Sequence, residues 1–206
     1  TFAQRAVEGK SNETSAVCGL LEELNINGCV IVADALNCQK KTAEAIISKE
    51  ADYILCVKDN QPSLKKDIEE YTGEQKLLEK MEVASDIEVQ SGRIETRTAY
   101  ATKDVGWLAQ KDEWAGLKSI VALRREVEIK KGGEKTCEWQ YYISSMETSA
   151  EDFLRRIRME WAVETMHWLL DVHFREDFCR IENQNAQQNL NMLRKAALNL
   201  VKRYKS

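Results

Sequence analysis

The sequence predicts an α/β fold, and the order in which hydrophobic periodicity changes along the chain is what predicts it. The first half alternates helical spacing with short, almost continuous apolar runs. The segment 82–145 switches to two-residue alternation, and helical spacing then returns to the end. This pattern describes an α/β core carrying a β-rich insertion and closed by two C-terminal helices, with residues 1–206 forming one domain.

Each element follows from local signals. Phe2 to Val7 reads as the middle of a strand, and the first residue is Thr rather than Met, so the chain is expected to be a piece of a longer one. Asn12 and Glu13 open a helix whose apolar positions Val17, Leu20, Leu21 and Leu24 share a face, and Asn27-Gly28 stops it. Gly28 to Leu36 (GCVIVADAL) is nearly all apolar, the signature of a strand covered on both faces. A helix from Gln39 to Lys49 and a second apolar strand, Asp52 to Val57, complete a βαβ unit. Asn60-Gln61-Pro62 starts the next helix, with proline in its first turn. Alternation in Arg93 to Tyr100 and Ile120 to Ile129, with Gly132-Gly133 between strands, predicts antiparallel hairpins. Helices are expected from Ala150 to Phe174 and from Ala186 to Tyr204.

Composition excludes more than it selects. A net charge of -4, with acids and bases in mixed-sign runs, gives no global nucleic-acid-binding signature, so any DNA contact has to be local. No stretch approaches the ~20 apolar residues of a membrane span, which points to a cytoplasmic protein with no membrane partner. The six cysteines lack any CxxC pairing and read as reduced, small core hydrophobes.

Two features carry chemistry. At ~100° per residue, Glu160, Glu164, His167 and Asp171 fall within an arc of about 60° on the penultimate helix. Ile157, Trp161, Trp168 and Val172 border the arc on one side, and Val163, Leu170 and Phe174 on the other, so the acids are expected to face inward. Buried carboxylates require pairing or a cation, which makes the stripe either part of a site or an internal ion-pair network. Asp34 lies at the carboxyl end of the first apolar strand, where ligands of open α/β sheets collect; the alternative is a turn or N-cap aspartate. An acid at a strand end, joined by one from a distant helix, can hold a hard divalent cation while leaving positions open for phosphate oxygens and water.

Other groups admit two readings. Lys58 and Asn60 follow the second parallel strand at the same sheet edge as Asp34, and either touch phosphate or start the next helix. Arg93, Glu95 and Arg97 alternate along one strand face, which binds DNA backbone or carries cross-strand ion pairs. Arg155, Arg156 and Arg158 read as a solvated face, and Trp161 and Trp168 as core. His167, Asp171 and His173 suggest zinc by composition, but His173 lies far around the helix from His167, which favours core or supporting roles.

GKSNET (Gly9 to Thr14), ADALNCQ (Ala33 to Gln39), ADYILCVKDNQ (Ala51 to Gln61), GRIETR (Gly92 to Arg97), WAVETMHWLLDVHFRED (Trp161 to Asp177) and NLNMLRKAALNL (Asn189 to Leu200) occur in this order along the chain. Together they resemble insertion-sequence transposases of the DDE type, in the group that includes the H-repeat-associated proteins. The resemblance implies an RNase H-like core with a β-rich insertion before the last acidic residue. It also implies Mg²⁺- or Mn²⁺-dependent cleavage and joining of double-stranded DNA, at transposon ends and target, by a bacterial protein that is nucleoid-associated when bound and forms a homo-oligomer.

By motif, Asp34 corresponds to the family's second catalytic aspartate, and Glu164 to the glutamate of its IEN-like motif, here Val163-Glu164-Thr165. Both are then metal ligands; the residues read above as able to contact DNA are Lys58, Asn60, Arg93 and Arg97. The family usually has His where this chain has Glu160 and Asn where it has Thr165. Its first aspartate belongs on a strand that precedes Thr1, so an N-terminally truncated and inactive fragment is expected. Two alternatives to a transposase are a metal-dependent RNase H-like nuclease and a transposon remnant that only binds DNA or protein.

Overall fold

A computed structural model of the chain describes residues 13–90, 92–175, 178–181 and 183–204. They divide into two compact units, one ending at Arg158 and the other beginning at Met159. The strand expected at Phe2–Val7 lies outside the described residues.

The first unit is built on one six-stranded sheet in the order β1-β2-β6-β5-β4-β3. Its elements are α1 (Glu13–Glu23), β1 (Val30–Ala33), α2 (Lys40–Ser48), β2 (Asp52–Val57), α3 (Pro62–Gly73), the short α4 (Gln75–Leu78), β3 (Glu82–Gln90), β4 (Arg93–Thr102), β5 (Ser119–Ile129) and β6 (Lys135–Ser144). β1 and β2 are parallel and joined through α2, with Ala33 opposite Leu55. The β-rich segment is continuous with them, because β6 returns to pair antiparallel with β2 (Leu55 opposite Ile143). Ser144 and Ser145 secure this junction: Ser144 Oγ donates to the Tyr53 carbonyl at 2.6 Å, and the Tyr53 amide donates to Ser145 Oγ at 2.9 Å.

The apolar pattern explains the layers. Tyr53, Leu55 and Val57 point to one face of β2 and join Ile46 of α2, Leu64 and Ile68 of α3, Ile120 and Ile143 in the main core. Ile54, Cys56, Val121, Leu123 and Tyr142, of opposite parity, are also buried, as are Phe153, Leu154 and Ile157 at the start of α5 (Ala150–Phe174). β2 is therefore the strand buried on both faces. β1 was expected to be the same, but all four of its residues are only half-buried and Leu36 beyond it is 42% exposed. Among the described residues β1 has one strand neighbour, β2. Cys29, in the same run, is exposed, as is Cys137, while Cys38 and Cys56 are buried; all six cysteines are free thiols.

The β5–β6 hairpin turns at Gly132 and Gly133, whose φ values of 112° and 68° lie where a side chain is disfavoured. In the second unit α5 continues to Phe174 and is followed by α6 (Gln184–Tyr204). Leu170 is fully buried. Trp168 and Val172, expected as an apolar border facing the core, are instead 56% and 51% exposed, and Trp168 meets the His173 ring edge-on at 5.7 Å. Helical spacing had placed them on one side correctly without saying what covers that side. No helix among the described residues is long and apolar enough to cross a membrane.

On the β4 face turned toward α5, Glu95 is 3% exposed and accepts from Arg125 Nε at 2.6 Å and Arg97 at 2.7 Å, with Arg93 at 3.3 Å. Arg97, itself buried, also pairs with Glu88 at 3.1 Å and Asp86 at 3.6 Å. Arg158 of α5 reaches the same two acids. Of the two readings of the Arg93–Arg97 face, the cross-strand ion pairs are present. Arg158, on the solvated face, is exposed and ion-paired as well. Burial pushes Glu95 up, but the Arg125 hydrogen bond and the charges of Arg97, Arg125 and Arg93 outweigh it and hold the carboxyl below its ordinary 4.5. A depressed acid contributes stability that is present above its unfolded value and lost as pH falls through its folded value. Glu95→Gln should therefore lower unfolding stability at neutral pH by about 2–3 kcal/mol. It should also flatten the decline of stability below pH 4.5, as measured by urea unfolding across pH.

Candidate functional site at the carboxyl edge of the parallel strands

Because β1 and β2 run parallel in register, the residues that follow them emerge at one edge. Asp34 leaves β1 in an extended conformation (φ −68°, ψ 176°) and caps a 3₁₀ turn, Ala35–Asn37. Its Oδ1 accepts from Asn37 Nδ2 at 2.9 Å and from the Asn37 amide at 3.4 Å. The capping role allowed by the sequence is thus real, and the carboxylate is nevertheless exposed to solvent. Asn37 Oδ1 is buried with no hydrogen-bond partner among the described residues.

The β2 end supplies the support. Lys58 is exposed, while Asn60 donates through Nδ2 to the carbonyls of Ala35 and, at 3.3 Å, Cys38. Gln61 Nε2 donates to the Cys38 carbonyl at 3.0 Å. Neither side chain caps α3, whose N-cap is Gln61 without a side-chain bond. Asn60 therefore does something sequence reasoning missed, since it ties the loop after one strand to the loop after its neighbour. The signal available was only its equivalent position beyond a parallel strand. Cys38, fully buried beneath the turn, is pushed up to about 12 by burial and then by Cys56, so it is a packing group and no nucleophile.

The remaining candidates are distributed. Arg93, 44% exposed, keeps a surface from which to meet an anion, whereas the Arg97 guanidinium is occupied by Glu95, Glu88 and Asp86. Asp152 near the start of α5 binds Arg155 and Arg156. Burial raises it, but these arginines and Thr148 outweigh burial and bring it to about 2. Glu164 lies in the helical backbone of α5, and its side chain, with that of His167, lies outside the described residues. Glu160 and Asp171 are half-buried. Among the described residues no group of three or more His, Cys, Asp or Glu gathers as a metal centre.

If Asn60 holds the turn, Asn60→Ala should speed amide hydrogen exchange at residues 35–38 while leaving α3 unchanged. The cost to global stability should be about 1 kcal/mol. Unchanged exchange in the turn would remove the tethering role.

Comparison with known proteins gives this edge its context. The family described as "Transposase DDE domain" matches residues 2–200. "Putative transposase YncI" of Escherichia coli O157:H7 is 36% identical over 213 residues, covering 98% of this chain and 53% of that protein. "H repeat-associated putative transposase YhhI" of Escherichia coli strain K12 is 37% identical over 207 residues, covering 97% of this chain and 54% of the relative. "Putative protein YbfL" from the same strain is also 37% identical, over 97% of this chain and 54% of its own length. The chain spans about half the length of these relatives. With an exposed aspartate at the carboxyl edge of two parallel strands and a family match over nearly its whole length, the chain belongs to the transposases with a DDE domain, and its mixed α/β architecture is that of the RNase H-like fold.

Proposed function

We propose that this chain is catalytic material of a DNA transposase, in which Asp34 and Glu164 are metal ligands for cleaving and joining phosphodiester bonds in double-stranded DNA. The observation that carries the reading is Asp34, an exposed carboxylate held by a tethered turn at the mouth of two parallel strands. The exposed Asp34 carboxylate is a hard oxygen donor, which suits a hard cation. Mg²⁺ or Mn²⁺ bound there would supply charge for the attacking and leaving oxygens of phosphoryl transfer.

The protein's own contributions are positional. Asn37 and Asn60 hold the Asp34 turn through hydrogen bonds, which reduces the reorganisation needed to present the carboxylate. Lys58, exposed at the same edge, would meet a phosphate oxygen as a point charge. Arg93 is the second candidate DNA contact, at the far end of the β-rich segment; the paired state of Arg97 assigns it to holding that segment together.

Metal affinity tests the assignment directly. Outer-sphere partners of metal ligands typically contribute about 10- to 100-fold to affinity, so loss of a direct ligand should cost at least that. In a version of the chain extended to supply the family's first aspartate, Asp34→Asn and Glu164→Gln should each weaken Mn²⁺ binding by about 100-fold or more. Glu160→Gln should weaken it little, by electron paramagnetic resonance titration. Mg²⁺-dependent nicking of plasmid DNA should fall in parallel with the first two. Retained Mn²⁺ affinity in Asp34→Asn would defeat the proposal, and a larger loss in Glu160→Gln than in Glu164→Gln would move the helix ligand one turn back.

A further inference from the structure

The outer strands overhang the edge that carries Asp34. Val57, the last residue of β2, lies opposite Tyr141, so the part of β6 from Gln140 back to Lys135 runs on past the carboxyl edge of the parallel pair. β5 and the β3–β4 hairpin go with it, since Glu128 stands opposite Lys135, Arg93 opposite Ile129 and Gln90 opposite Arg93. At ~3.3 Å per residue these strands make an arm about 20 Å long. Over that length a DNA duplex presents roughly a dozen phosphate charges.

The end of the arm consists of two turns fastened together. The Lys130 amide donates to the Gly92 carbonyl at 2.8 Å, and the Gly133 amide donates to the Ile129 carbonyl at 3.1 Å. A Cβ placed on Gly92, Gly132 or Gly133 would meet nothing within 4 Å, so both turns present bare backbone outward. The charge around them is positive, in a chain whose net charge is -4. Glu128 is matched by Lys135 at 3.0 Å. That leaves Lys130 and Lys131, exposed and without an ion pair among the described residues, against the single acid Glu134. Arg93 stands beside them, 44% exposed and the most distant of the three arginines on Glu95.

We propose that this arm is a second seat for duplex DNA, in which Lys130 and Lys131 contact phosphates of the same duplex whose reacting bond lies at the Asp34 edge. The inference rests on the transposase reading of that edge and adds a contact that needs no metal. Lysine suits the task, because an ammonium is a point charge that meets a phosphate without reading sequence, and glycine turns let the sugar–phosphate backbone come close. The arm projects on the side from which a substrate reaches Asp34, which favours a duplex over an acidic protein segment.

Fluorescence anisotropy of the 206-residue chain on a labelled duplex of arbitrary sequence, in EDTA and over a range of KCl, tests this. Each phosphate contact contributes about 0.9 to the slope of log K against log salt. Lys130→Gln with Lys131→Gln should therefore lower the slope by about 2 and weaken binding equally on unrelated sequences. Both sites are exposed, so circular dichroism should not change, and Lys130→Arg with Lys131→Arg should keep the wild-type slope. Lys76→Gln with Lys80→Gln makes the same charge change ahead of β3, at the opposite end of the outer strands, and should leave the slope as it was. Asp34→Asn should leave it too, so the result stands apart from the Mn²⁺ titration, whose failure would remove the metal reading alone. An unchanged slope in the Lys130 and Lys131 double variant overturns the proposal, as does an equal fall in the Lys76 and Lys80 control. So does a wild-type chain that ignores the duplex at low salt and binds a polyglutamate peptide instead.

Discussion

The salt-bridged carboxylate of Glu95 is the constraint around which the β-rich half is arranged. An acid only 3% exposed on a sheet face is tolerated because three arginines from two strands converge on it. One of those arginines, Arg97, passes the charge on to Asp86 and Glu88 of β3, and these in turn receive Arg158 from α5. Such a network contributes little by its Coulomb terms alone once desolvation is counted, and much by specificity. Any slip of β3 or β4 by one residue would carry a guanidinium or a carboxylate to the wrong face. The register of the outer strands and the seating of the first turns of α5 are therefore a single choice.

α5 begins where Ala150 donates to Glu82 and is tied again by Arg158. At the other end of the sheet, β6 lies between the parallel pair and the outer strands, so the turn carrying Asp34 and the network around Glu95 hang from one continuous hydrogen-bonded surface. The β-rich segment is thus no appendage. It supplies β6, without which β2 would lose a neighbour and the double-sided burial that its apolar sequence requires.

Local patterns in the sequence located elements well, and they failed wherever the answer depended on a distant partner. Asp52–Val57, Ala150–Phe174 and the Gly132-Gly133 turn stand where periodicity and turn chemistry put them, because each is determined by residues a few positions apart. β1 and Trp168 went otherwise for a shared reason: an apolar residue states that it can be buried, and only the neighbouring strand or helix decides whether it is. The alternation of Arg93, Glu95 and Arg97 revealed a common face but could not separate DNA from carboxylate as its partner, since both offer anionic oxygens. The answer lay in Asp86, Glu88 and Arg125, which pair with that face only once the strands are in register. Asn60 was visible as a polar residue at the right edge, yet its true partners are carbonyls, which no side-chain pattern encodes.

Asp34 shows why a structural and a chemical role need not compete. One carboxylate oxygen takes the donors of Asn37, and a carboxylate has acceptor sites on both oxygens, so capping the turn leaves capacity for a cation. Capping also restricts the side chain before any ligand arrives. An exposed, uncapped aspartate at a strand end would lose rotamer freedom on binding, whereas here the Asn37 bonds have already fixed it and Asn60 has fixed the backbone beneath. The same hydrogen bonds that make Asp34 look like an ordinary turn residue are thus what would make it an effective ligand. Distinguishing the two roles depends on what the carboxylate can still accept, not on whether it caps a turn.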